Sequence, residues 1–148
     1  MNLQTVAVLR RFLTLATEGQ PPSLEELARS LDELAMVVHD TPEGDPADSD
    51  ADPPESDYPT MYARLGARFP EFGVYPSVDP GEAVGALPAT GDAIDDLADI
   101  VQEIEELCWR FDHLGPRDAG WHLHLLYRTH WGRHLRDLSS YLHAKQYG

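Results

Sequence analysis

His130 and His134 stand four residues apart in THWGRHLRDLSSYLH, a stretch whose apolar residues repeat at helical spacing. At i, i+4 two imidazoles share one helix face and can hold a single ion between them. Asp137 and Tyr141 continue that face, and at 100° per residue the four fall within about 60° of one another. They lie off the apolar stripe of Trp131, Leu135 and Leu138. Folding the chain back at Gly115 sets His134 level with Asp96 and His130 close to Asp99. His130, His134 and Asp137, with a contribution from Asp96 or Asp99, are therefore the candidate ligands of a divalent transition metal. The plainer expectation is that two histidines facing an acidic helix simply hydrogen-bond and pair, since this spacing lacks a Glu-rich partner motif.

Other groups carry less. Glu103-x-x-Glu106 resembles half of the paired-carboxylate signature of all-helical nucleotide pyrophosphohydrolases. Those enzymes place a second carboxylate pair on another helix to hold Mg²⁺, and the last helix offers only Asp118 and Asp137. Cys108 is the single cysteine and falls on an apolar stripe, where a thiol is inert filler. Trp109, Trp121, Trp131, Tyr58, Tyr62, Tyr75 and Phe72 could line a groove, but aromatics of a small helical domain usually fill its core. No Gly-rich phosphate loop, nucleophile elbow or Cys/His zinc spacing occurs.

Five helices must position these groups. The first runs about 2–18, with Val6, Leu9, Phe12, Leu13 and Ala16 on one face. Ser23 and Glu26 form a capping box that opens the second, whose stripe runs from Leu24 to Val38. The third spans about 58–69. The fourth runs about 92–113, its inner stripe traced by Ile94, Leu97, Val101, Ile104 and Cys108, with Asp96, Asp99, Glu103 and Glu106 opposite. The fifth spans about 117–145 and is carried by Trp121, Leu125, Trp131, Leu135, Leu138 and Leu142. Between the third and fourth, residues 70–92 are rich in Pro and Gly. A turn at Asp79-Pro80-Gly81-Glu82 predicts a small hairpin pairing 74–78 with 83–87. The fold class is thus all-α, an antiparallel bundle of about five helices in one domain over 1–148.

The net charge of −15 opposes nucleic-acid binding and docking on anionic membranes. Residues 40–57 hold eight acids, no base and four prolines, so about half the charge excess sits in what reads as a mobile acidic loop over 41–56. The body divides its charge as well. Residues 92–113 have eight acids and one base, whereas 116–148 have five bases, two acids and five of the seven histidines. No apolar run reaches the ~20 residues that span a bilayer. The N-terminus lacks a signal-peptide pattern and only one cysteine is present, so a cytoplasmic location is expected.

DDLADI at 95–100, THWGRH at 129–134 and the Leu-x-x-Tyr-Leu-His ending at His143 together resemble an uncharacterised bacterial family catalogued as a domain of unknown function. The turn-rich stretch from Phe72 to Pro80 fits the same pattern. The resemblance covers the C-terminal half and implies a helical fold, with no activity or catalytic residue. The leading functional expectation is a non-enzymatic helical protein acting through a protein partner or self-association, with no cofactor. The alternative is a metal-binding helical protein, a metal-dependent hydrolase, using His130, His134 and a carboxylate.

Overall fold

The computed structural model describes residues 1–148. Three helices come first. α1 (Leu3–Thr17) is capped by the Asn2 side chain, and α2 (Leu24–Asp40) opens on the expected Ser23/Glu26 capping box. α3 (Tyr58–Arg68) starts at Asp57. Two short strands, β1 (Val74–Ser77) and β2 (Ala89–Asp92), then pair antiparallel and lead into α4 (Ala93–Leu114). The Asp92 carboxylate caps α4 by accepting from the Ile94 and Asp95 amides. Gly115, at φ 98°, reverses the chain, and α5 (Pro116–Leu126), a π segment (Tyr127–Trp131) and α6 (Gly132–Tyr147) complete it. The all-α bundle is as expected.

α4 is the central helix, packed against α1, α3, α5 and α6. Leu97, Ile100, Val101, Ile104 and Leu107 are fully buried on it, against Leu9 and Phe12 of α1 and Leu135, Leu138 and Leu142 of α6 in one continuous core. α4 is walled on several sides, so its acidic side is not uniformly solvated. Asp96 is buried at 4% exposure, in contrast to the outward acidic face expected from spacing.

Three further features depart from the periodicity. The fifth helix holds a π segment, where i→i+5 bonding absorbs an extra residue in one turn. Eight residues at 100° would leave Trp131 about 80° out of line with Leu123. The wide turn removes that offset, and both are fully buried. The stripe upstream of the turn is therefore Ala119 and Leu123, while Leu125 is exposed and Trp121 only half-buried. Gly132 makes room for Tyr127, whose carbonyl and ring occupy the place of a Cβ. The hairpin pairs Val74 with Asp92 and Ser77 with Ala89, not with residues 83–87. Two successive i→i+3 turns, Asp79–Glu82 and Ala83–Ala86, carry the chain past that register and leave Val84 and Leu87 in solvent.

The acidic segment 41–56 has no regular structure, yet its first residues are tied down. Thr41 is buried, and its carbonyl lies 2.6 Å from His124 Nε2. Glu43 pairs with Arg128 and Asp45 with Arg117. The Ala47 amide donates to the buried Asp118 carboxylate at 2.8 Å.

Candidate metal centre

α6 and the π segment present His134 and His130 to the acidic side of α4. His134 Nδ1 lies 2.7 Å from Asp96 Oδ1, and His130 Nδ1 lies 2.9 Å from Glu103 Oε1. Each ring is thus held at one nitrogen by a carboxylate. The two Nε2 atoms then face one another at 3.2 Å, with the rings at 74° and centroids 4.6 Å apart. Asp99 Oδ2 completes the group, 3.3 Å from His134 Nε2 and 3.9 Å from His130 Nε2. For bonds of ~2.0–2.1 Å, the edge of a tetrahedral zinc site is ~3.3 Å. The 3.2 and 3.3 Å separations at His134 Nε2 match such an edge, and the 3.9 Å separation between His130 Nε2 and Asp99 is longer than one. Carboxylate–His pairs of this kind fix the tautomer and aim the free nitrogen in metal sites.

The elements around the cluster fix its carboxylates. The Tyr75 hydroxyl, on β1, donates to Asp96 Oδ2, and the Tyr58 hydroxyl, on α3, donates to Asp95. Gly91 on β2 stands opposite Tyr75, and a Cβ there would collide with the phenol ring. Glycine at 91 therefore lets the ring lie flat and reach Asp96.

Burial sets the electrostatics. It raises the carboxyl groups of Asp99 and Glu103 above their ordinary values, although both histidines act against it at Asp99 and His130 does at Glu103. The hydrogen bond to Asp96 raises His134 above the ordinary imidazole value. Tyr75 is raised by burial and then by its bond to Asp96. Asp95, Asp96, Asp99 and Glu103 crowd four carboxylates around two imidazoles, a setting that favours a cation.

Of the expected ligands, His130 and His134 converge and Asp137 does not join them. Asp137 Oδ2 accepts from Arg133 Nε at 3.1 Å, one turn back on the same helix, and Arg133 also reaches Asp79 at 3.3 Å. Tyr141 accepts from the Gly73 amide. Asp96 lies level with His134 as expected, but Asp99 serves both rings and sits nearer His134. Glu103, the partner of His130, enters the sequence pattern only through Glu103-x-x-Glu106 and the acidic face of α4. Its i+4 spacing from Asp99 and i+7 spacing from Asp96 was the signal that could have found it. Glu106 is held by Arg110 at 2.7 Å. Burial raises the Cys108 thiol to about 11, as suits inert filler.

The larger grooves lie elsewhere. One of about 620 Å³ between α1 and α2 is lined by Arg10, Arg11 and Arg29 among others, and one of about 610 Å³ lies at Met1, Phe111 and Pro116; a smaller one of about 440 Å³ shares only Glu103 with the cluster. The imidazoles sit at an open edge, with the His130 side chain 45% exposed and that of His134 20%.

A family model described as a domain of unknown function (DUF5063) matches residues 3–148. The chain belongs to that family. The match runs through the N-terminal half as well, beyond the C-terminal resemblance visible in the motifs. Nothing among curated proteins matches. Among solved structures, the chain is similar to the protein BF1032 from Bacteroides fragilis. The two are 17% identical with a TM-score of 0.70, and the likeness covers 99% of this chain and 95% of that one. At that identity it shows the shared helical fold. No helix is long and apolar enough to cross a membrane.

Proposed function

We propose that this chain is a helical metal-binding protein that holds one divalent transition-metal ion through His130 Nε2, His134 Nε2 and an Asp99 oxygen. The observation that carries the reading is the convergence of two Nε2 atoms and one carboxylate oxygen at 3.2–3.9 Å while both Nδ1 atoms are held by carboxylates. Two nitrogens and one oxygen suit Zn²⁺, Co²⁺ and Ni²⁺ better than Mg²⁺ or Ca²⁺. Asp96 and Glu103 orient the rings. Three protein ligands leave a fourth position, on the open side where His130 is exposed, for water or a small ligand.

The test is metal titration of chelator-treated protein. Zn²⁺ or Ni²⁺ should raise the melting temperature in proportion to ln(1 + [L]/Kd). His130→Ala with His134→Ala should abolish the rise while leaving the metal-free fold cooperative. Absence of any rise in the wild-type chain, or an equal rise in the double variant, would refute the assignment.

A further inference from the structure

The chain from Glu71 to Asp79 runs along α6 in register. Lys145 Nζ donates to the Glu71 carbonyl at 3.0 Å, the Gly73 amide to the Tyr141 hydroxyl at 3.0 Å, and Arg133 Nη1 lies 3.3 Å from Asp79 Oδ2. The hairpin therefore advances along α6 from its C-terminus toward His130. Tyr75 meanwhile reaches across to Asp96, so the hairpin lies over the cleft between α4 and α6 that holds the cluster. Exposure rises along this cleft in the direction of the hairpin tip, from 5% at the Asp96 side chain to 20% at His134 and 45% at His130.

Cover stops where the regular hairpin stops. Residues 80–88, PGEAVGALP, continue past the Arg133–Asp79 contact. Val84 and Leu87 there are almost wholly exposed, at 107% and 91%. An apolar tip hung in water beside an open polar site lacks the cover such side chains favour. Gly81 and Gly85, the latter at φ 95°, give this stretch backbone freedom that other residues lack.

We propose that residues 80–88 are a lid over the metal centre. On metal binding the tip folds from Asp79 onto the His130 end of the cleft and lays Val84 and Leu87 over the open coordination position. The fixed part of the hairpin, which orients His134 through Tyr75 and Asp96, serves as the hinge base. Closure excludes bulk water from the fourth position and slows the release of what is bound there, as lids do over reactive sites. This rests on the metal reading above.

Amide hydrogen exchange of the full chain, with and without saturating Zn²⁺, tests it, after calorimetry has established separately whether Zn²⁺ binds. Exchange across 81–87 should slow about tenfold in the loaded protein, reporting a lowered open population. The variant V84S/L87S alters no ligand. It should keep the melting temperature of the metal-free protein, lose that protection, and release Zn²⁺ to a chelator roughly tenfold faster. If Zn²⁺ binds while exchange across 81–87 and the release rate of V84S/L87S stay at their reference values, the lid is wrong and the metal site stands. If Zn²⁺ does not bind, both fall together.

Discussion

Asp96 links the histidine to the hairpin. Its two oxygens serve His134 and Tyr75, and it is the most enclosed acid of the cluster. Asp96→Asn keeps an acceptor but removes the charge that fixes and enriches the imidazole. Metal affinity should fall by about 10–100-fold, read by calorimetry. The same pair sets a pH signature. The folded-state value of His134 is raised, chiefly by its bond to Asp96. Its contribution to the stability of the metal-free protein is therefore fully present below the unfolded value of about 6.5 and is lost as pH rises through the folded value. Asp99 and Glu103, raised by burial, act in the same sense. Metal binding has the opposite sign, because the imidazoles must shed protons to coordinate. Melting curves across pH 5–9, with chelator and with Zn²⁺, should diverge as pH rises; parallel curves would contradict the assignment. The pairing of His134 with Asp96 was legible in the sequence because both residues lie at fixed distances from the reversal at Gly115. Asp137 was misleading, because shared helix phase does not reveal that Arg133 already holds it.

At the scale of elements, helix phase decides what faces what. Leu135 is fully buried in the core that α6 shares with α4. Leu135→Ala should cost about 2–5 kcal/mol in chemical denaturation. An effect near zero would mean that α6 is rotated and the imidazoles misplaced. All five helices were legible from apolar spacing, and the second from its capping box as well, since a regular 3.6-residue repeat is a direct readout of one buried face. The π segment was not, because a single wide turn changes the period only locally, and residues on either side still look helical. The strand pairing failed for a related reason. The turn at 79–82 does form, but turn chemistry says nothing about a second turn behind it.

The whole molecule carries −15, and the acidic segment concentrates that charge beside a body to which residues 41–47 are tied. Replacing 48–56 with a Gly/Ser linker should change stability by about 1 kcal/mol or less, as for surface changes without packed partners. Extending the replacement through 41–47 should cost distinctly more. It removes Thr41 from its buried place, strips His124 of the Thr41 carbonyl and leaves Asp118 without the Ala47 amide. Denaturation of the two variants side by side separates the cases, and equal stability would show that the anchors contribute little. Composition made the segment's polarity obvious. Its anchoring depends on a carboxylate seventy-one positions away, which no local pattern encodes.

The wide turn at 127–131 also bears on descent. It is one residue surplus to an α-helix, so removing a residue there would restore a regular rod without breaking it. The restored rod would be out of step with itself. Leu123 and Trp131 could no longer both face inward, and any rotation that favoured the upstream half would swing His130 and His134 off Asp99. A relative with a one-residue gap at this spot would thus have to give up either the upstream packing at Leu123 or the approach of the imidazole pair to Asp99.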